Sequence, residues 1–446
     1  MYDPLIEQAI ASGQGYPDSY WASVSGEPPV SKDRLTEDLD TDVVIIGAGY
    51  TGMSCALHLQ RDFNITPVVI EANQTAWGCS GRNAGFILKS TGRKSWTQMQ
   101  KHWGDPVMRM VYQEAVEGVE RVHGFINEGI DCDVQQPGYI RIAHKPNKMR
   151  ELEAQASLLS SMFGYHVDIL SRTQVHQQYM NDENAHGAIR FEDGVGINPL
   201  KLAFGYHDLL NKAGVDVYTN TPAVSIEQYG NRYRVITEHA NISCDKVVIA
   251  TNGYTPKGFD SSVANKTLPV LSQIIVTEPL TEAQLQACNF ITSNVVMDTR
   301  ALKYYYRKLP DNRILFGGRG AITGKSADDP YYAERLLQEL KRSFPPLADV
   351  RYQYRWSGWI CMSLDDIPHI AQAEGSKGIF YAMGYCGNGV SFAVQAGKRL
   401  ADKVAGRAVP DIPLYNRQLV PFPMPAFRRI GQWAYFHYGK FADQFL

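Results

Sequence analysis

Residues 42 to 52 read Asp-Val-Val-Ile-Ile-Gly-Ala-Gly-Tyr-Thr-Gly, and an acid, Glu71, closes the next apolar run, Pro67-Val68-Val69-Ile70. A β-branched run that stops at a glycine triplet, followed by a second run that stops at an acid, is the pattern of a strand–helix–strand unit that holds a dinucleotide. Gly47 permits the tight turn out of the strand. Gly49 lets the backbone approach a pyrophosphate, and Gly52 lets the helix lie close on the sheet. Tyr50 and Thr51 open the helix, where free N–H groups and the positive end of the dipole face the phosphates. Glu71 can accept hydrogen bonds from two ribose hydroxyls and would repel a phosphate there, which favours FAD or NAD over NADP. Ala56, Leu57 and Leu59 give residues 53 to 60 a helical apolar face, so the motif is set in the context it needs. A plain α/β turn is the competing reading.

The chain that must position these residues has 446 of them, too many for one simple core, so two domains are expected. With 44 basic and 46 acidic residues the net charge is −2, and no basic face for nucleic acid is implied. The seven cysteines are scattered without a CxxC pair. That fits free thiols in a reducing compartment rather than a disulfide frame or a zinc site. No HExxH or paired His–Asp spacing occurs, so no metal is expected. The N-terminus lacks a basic and then apolar signal pattern, and no apolar stretch is long enough to span a bilayer. The expectation is a cytoplasmic protein that binds neither nucleic acid nor membrane.

Residues 1–40 form an arm whose Tyr16, Tyr20 and Trp21 are too apolar for a free tail, so it packs on the body. Helical periodicity marks 95–130, 146–163, a segment opened by Asn198-Pro199, 331–343 and 391–404. Strand patterns mark Tyr139 to Ala143, Val215 to Val217, Ala223 to Ile226, Tyr233 to Ile236, Lys246 to Ala250, Ile274 to Val276, Tyr304 to Tyr306, Arg313 to Phe316 and Gly378 to Met383. Nucleotide-type strands stand at both ends of the chain with strand-rich segments between. The expected fold is therefore α/β: a discontinuous Rossmann-like dinucleotide domain (41–95, 190–260 and 356–410) with an inserted α+β domain (96–189 and 261–355) on a mostly antiparallel sheet. A tail, 411–446, follows.

Four motifs in this order resemble the FAD-dependent amine oxidases, the group of D-amino-acid oxidase, glycine oxidase and sarcosine oxidase. They are Val43 to Gly52 with Glu71, Ser80-Gly-Arg-Asn-Ala-Gly85, Ala250-Thr-Asn-Gly-Tyr254 and Gly384-Tyr-Cys-Gly-Asn-Gly389. The branch most resembled is that of the gamma-glutamylputrescine oxidases. It shares Ser19-Tyr20-Trp21-Ala22, Tyr306-Arg307 before the turn from Asp311 to Gly318, and Pro421-Phe422-Pro423. The resemblance spans nearly the whole chain and implies FAD, held without a covalent bond.

By this resemblance Ala72, Gly78, Ser80, Arg82, Asn83, Ala84 and Gly85 run along the cofactor, with Arg82 and Asn83 near the pyrophosphate and ring. Val224 lies on the strand that pairs with adenine. Thr251, Asn252 and Gly253 end a strand at the sheet's carboxyl edge. Gly384, Gly387, Asn388, Gly389 and Val390 open the last helix, whose N–H groups stabilise negative charge at the flavin N1–C2=O end. Two departures stand out. Cys386 and Asn388 replace the family's Ser and His, and Ser391 replaces the sarcosine oxidase lysine. Cys361, in Trp359-Ile-Cys-Met362, resembles the cysteine that bonds covalently to flavin in sarcosine oxidase, but its register against Leu364-Asp365 is shorter. A buried free thiol is the reading taken.

The implied reaction is oxidation of a CH–NH bond of an aliphatic amine or amino-acid derivative to an imine. Hydride passes to flavin N5, with oxygen as acceptor and peroxide as product. No side-chain base is required if the amine binds neutral, so no catalytic residue is assigned. Tyr304, Tyr306 and Arg307 on one strand, with Arg319 and Lys89 for a substrate carboxylate, are the expected pocket residues. The competing functions are a dehydrogenase of the same fold that passes electrons to a quinone or carrier, and a flavin-binding protein without turnover.

Overall fold

The computed structural model describes residues 1–445. Two eight-stranded sheets organise it. The first has a parallel centre in the order Ile379–Met383, Asn241–Ile249, Leu39–Ile46, Val68–Ile70, Val217–Tyr218. His369–Gln372 closes one edge antiparallel, and the ribbon Ala223–Tyr229 with Arg232–Thr237 hangs off Asn241–Ile249. The central strands are covered on both faces, which is why Val43 to Ile46 read as an unbroken apolar run; all four are buried.

Two helices leave this sheet at its carboxyl edge. Tyr50–Phe63 follows Leu39–Ile46, and Val390–Val404 follows Ile379–Met383. They cross closely because small residues meet: a Cβ on Gly397 would lie 2.6 Å from both Ser54 Cβ and Thr51 O. The Ser54 hydroxyl donates to Val394 O at 2.7 Å across this contact. The crossing sets the two helix N-termini beside each other at one edge of the sheet.

The second sheet runs Tyr352–Met362, Leu268–Thr277, Ile314–Arg319, Tyr305–Lys308, Val295–Asp298, Tyr139–Ile142, Gly187–Phe191, Asp168–Ser171. All neighbours are antiparallel except Val295–Asp298 with Tyr139–Ile142. The boundaries expected at 190 and 356 fall inside strands of this sheet. Tyr352–Met362 pairs along its length with Leu268–Thr277, so ladder hydrogen bonds carry residues 356–362 into the second sheet.

The arm packs on the body as expected. Tyr20 and Trp21 are buried, and Trp21 Nε1 donates to Asn83 O at 2.9 Å. At the other end, the helix Arg428–Phe445 lies on the body by one face only. Arg429 pairs with Asp3 at 2.6 Å, and Asp443 accepts the Ala301 and Leu302 N–H groups at 2.6 and 3.1 Å. The opposite face leaves Ile430, Trp433, Tyr438, Phe441 and Phe445 exposed, next to Phe427 in the turn before the helix. No helix among the described residues is long and apolar enough to cross a membrane.

Candidate active site

The carboxyl edge of the first sheet opens into a cavity of about 250 Å³ that continues under the second sheet. At its middle stand the N-termini of the two crossed helices. Both begin at a glycine, Gly49 and Gly389, whose missing side chain leaves no cap. Elsewhere Ser95, Asn198, Thr281 and Asp329 cap their helices with side-chain oxygens. An uncapped helix start has donors to offer a bound anion. Ser80 Oγ accepts the Tyr50 N–H at 3.0 Å, and a Cβ on Gly49 would sit 2.9 Å from that oxygen.

Each glycine of the triplet has its own reason. Gly47 adopts φ +112°, closed to most side chains, and a Cβ there would lie 3.0 Å from Ala250 O. A Cβ on Gly52 would come 1.9 Å from Gly47 O, so only glycine lets the helix start this close to its strand. Gly52 thus shapes the loop but does not line the cavity. The same is true of Gly85, Gly253 and Gly384, whose added Cβ atoms would meet Ile197 O at 2.0 Å, Trp359 O at 2.7 Å and Ser363 Cβ at 3.0 Å.

At one end of the cavity, Glu71 accepts from Ala48 N at 2.9 Å and Asn73 N at 3.2 Å, which fixes its carboxylate in the wall. Burial raises its carboxyl above the ordinary range. Ala72, Thr221, Ala223, Phe259 and the arm's Ile10 complete this end. Ala223 stands where Val224 was expected. Alternation along the strand turns the Val224 side chain out, leaving it 43% exposed.

The Ser80–Gly85 loop follows the wall. Gly78, Ser80, Arg82, Asn83 and Ala84 line it. Arg82 is buried, with its Nε on Trp77 O at 2.7 Å and its guanidinium 4.3 Å above the Trp77 ring. Asn83 holds the loop itself: its amide donates to Ser80 O at 2.8 Å and its carbonyl accepts from Gly85 N at 2.7 Å.

Thr251, Asn252, Gly387, Asn388, Gly389 and Val390 also line the cavity. Thr51 Oγ1 and the Tyr385 hydroxyl share a hydrogen bond of 2.7 Å that ties the two helix starts together. Asn388, in the place of the family's His, donates to Gly92 O, and Ser391 donates to Leu88 O at 2.6 Å. Both departures serve to anchor the segment 88–92 over the cavity. Cys361 and Cys386 lie in the wall, and burial pushes each thiol up to about 12, so neither is a thiolate near neutral pH.

The far end is built from Phe86, Leu88, Ser272, Ile274, Met297 and Tyr305, with Arg93, Lys303 and Arg319 among them. Here the expected residues need correction. Tyr304 and Tyr306 point away from the cavity. Tyr304 packs on Phe316 at 5.4 Å between rings, and the Tyr306 hydroxyl donates to buried Asp182. The opposite face of the strand is the pocket face, and Tyr305 occupies it, its hydroxyl 2.6 Å from Ser272 Oγ. Arg307 shares that face but is sealed beneath, bonded to Gln135 Oε1 at 2.6 Å and to Ile197 O, between Trp21 and Phe86. Lys89 lines a neighbouring cavity of about 90 Å³, where it is paired with Asp193 over the Tyr165 ring. Arg319 lines the main cavity as expected. Arg93 and Lys303 carry no motif and were not expected.

Residues 42–403 match the family model DAO, FAD dependent oxidoreductase. The chain belongs to the DAO family of FAD-dependent oxidoreductases. It is 32% identical over 409 residues to gamma-glutamylputrescine oxidoreductase of Escherichia coli, covering 91% of this chain and 93% of that one. Against the sarcosine oxidase beta subunit of Rhizobium meliloti it is 24% identical over 365 residues, 78% of this chain and 80% of the relative. Its fold superposes on the crystal structure of glycine oxidase from Geobacillus kaustophilus with a TM-score of 0.70 at 18% identity, covering 86% of this chain and all of that one. The chain is an enzyme and its cofactor is FAD. The uncapped pair of helix starts, the Gly49 approach and the fixed Glu71 carboxylate are the features that fit it. No group of three or more His, Cys, Asp or Glu that could hold a metal occurs among the described residues.

Proposed function

We propose that this DAO-family enzyme oxidises the CH–NH bond of an aliphatic amine or amino-acid derivative to an imine, with oxygen as acceptor and hydrogen peroxide as product. FAD, when bound, supplies the hydride acceptor. Gly47, Gly49 and the start of Tyr50–Phe63 would hold its pyrophosphate and Glu71 its ribose, and the N–H groups at the start of Val390–Val404 would stabilise negative charge on the reduced ring. The protonated thiol of Cys361 supports a cofactor held without a covalent bond. The seven free cysteines suit a reducing compartment, in keeping with a cytoplasmic enzyme.

One observation carries the amine reading. The wall of the far end, from Phe86 to Arg319 and Cys386, contains no histidine and no carboxylate, and Lys303, lowered by burial to about 7, is its one amine. An alcohol would depend on Lys303 alone to take its O–H proton as hydride leaves. A neutral amine offers its own lone pair and needs no such base. Tyr305, Phe86, Leu88 and Met297 pack the substrate chain and exclude water, and Ser272 fixes the Tyr305 hydroxyl.

The test is anaerobic mixing of the yellow protein with polyamines, gamma-glutamylated amines, cyclic imino acids and D-amino acids. Bleaching of the flavin band by an amine, with peroxide released on admitting air, is the expected result. If no amine bleaches it, the reading fails. A second reading, a dehydrogenase that hands electrons to a quinone, is favoured by the exposed aromatic face of Arg428–Phe445, which suits a membrane surface. Bleaching without peroxide would select it.

A further inference from the structure

The Glu71 end of the main cavity is closed by a segment that belongs to neither sheet. Residues 1–19 form no helix or strand. Residues 6–9, 11 and 13 are exposed, yet Ile10 between them is only 8% exposed and lines the cavity beside Glu71, Thr221, Ala223 and Phe259. Among the described residues it alone reaches that wall from before Ile46.

The chain is pinned on both sides of Ile10. On one side, Lys257 N donates to Glu7 O at 2.9 Å, next to Pro256, which lines the cavity. Further back, Asp3 accepts from Gly324 N at 2.8 Å and from Arg429 at 2.6 Å, and Trp359 Nε1 donates to Tyr2 O at 2.8 Å. On the other side, Gln14 N donates to Asn73 Oδ1 at 2.7 Å, in the loop that follows Glu71. Trp77 Nε1 donates to Gly15 O at 2.8 Å, and the Tyr16 hydroxyl donates to Thr75 O at 2.6 Å. Residues 7–14 thus cross from the Pro256 wall to the wall of Glu71 and Asn73, with Ile10 turned inward at mid-span.

Irregular backbone has no ladder hydrogen bonds to offset the entropy of ordering it, and an isoleucine turned inward needs an apolar surface to cover. The Glu71 end is where the ribose and adenine of FAD belong, and the flat face of the base is such a surface.

We propose that residues 7–14 are a cofactor strap: Ile10 packs on the adenosine half of FAD, and the cofactor leaves only when the strap lifts. The inference rests on FAD at the Glu71 end and is independent of which substrate is oxidised. Linkage fixes the sign of a second effect. A strap that closes on FAD must in turn be held closed by FAD.

Glu7 is exposed and lies in the strap, so a glutamate-specific protease reads its opening. Cleavage of the native chain after Glu7 is expected to be about tenfold or more slower with FAD bound than after deflavination. Cleavage after Glu374, exposed in a turn outside the cavity, changes far less. In Ile10→Gly, FAD leaves the diluted holoenzyme about tenfold faster, read as the rise in flavin fluorescence, and the protection of Glu7 shrinks. Cleavage after Glu7 at one rate with and without FAD overturns the strap. So does an unchanged release rate in Ile10→Gly, including one accompanied by a lower thermal midpoint, which would make Ile10 a packing residue only. The cleavage comparison uses the native chain, so it decides the matter even where the variant fails to fold.

Discussion

The two ends of the main cavity are built in opposite ways. The dinucleotide end is made mostly of backbone, in two glycine loops, each unbroken in sequence and each opening a helix whose own N-cap residue is a glycine. The far end is made of side chains from separate segments: Arg93 from the segment after the Ser80–Gly85 loop, Lys303 and Tyr305 from one strand region, Arg319 from another. Backbone recognition demands fixed residue types at fixed spacing. Side-chain recognition demands only that some residue reach the right point. The first end is therefore legible as a spaced motif in the sequence, and the second is not.

Breaking the backbone end has the largest expected effect. Gly52→Val places an atom 1.9 Å from Gly47 O and displaces the helix start, so the purified protein is colourless. Gly49→Val and Glu71→Arg are expected to be colourless as well, the first by blocking the phosphate approach and the second by placing a cation at the ribose. The ratio of flavin to protein absorbance checks all three, and yellow, fully loaded variants would count heavily against the site.

The far end should break differently. Arg319→Met keeps its flavin but loses about 10- to 1,000-fold in kcat/KM for a carboxylate-bearing amine, the usual effect of removing one partner of a buried charge contact. Equal loss for amines without a carboxylate would remove Arg319 from substrate recognition.

Tyr306→Phe sharpens the assignment of faces. It strips a hydrogen bond from buried Asp182, which lies away from the cavity. Stability should fall by about 1–3 kcal/mol, seen as a lower thermal midpoint, with KM unchanged. A raised KM would return Tyr306 to the pocket. The smallest effect is expected from Val224→Ala, within about 0.5 kcal/mol and with flavin content unchanged, because that side chain faces solvent.

The contrast also explains what could be read from the sequence. The strand–helix–strand unit, the discontinuous arrangement and the mostly antiparallel second sheet follow from apolar runs and turn residues. Alternation put Tyr304 and Tyr306 on one face and Tyr305 and Arg307 on the other, but nothing in the spacing says which face meets the cavity. Arg307 and Lys303 look alike as isolated cations. One is consumed by Gln135 and Ile197 O, the other left without a partner, and only the packing of distant segments decides it. The strand Tyr352–Met362 straddles the boundary expected at 356, because its partner, Leu268–Thr277, lies some eighty residues earlier and leaves no local signal. The arm's Ile10 reaches the cavity through contacts no local pattern records.

The most direct measurement is anaerobic mixing of the native yellow protein with a panel of aliphatic amines and amino-acid derivatives, followed at the flavin absorbance band. Bleaching by at least one of them is predicted. A flavin that dithionite reduces but that no amine bleaches would contradict the account.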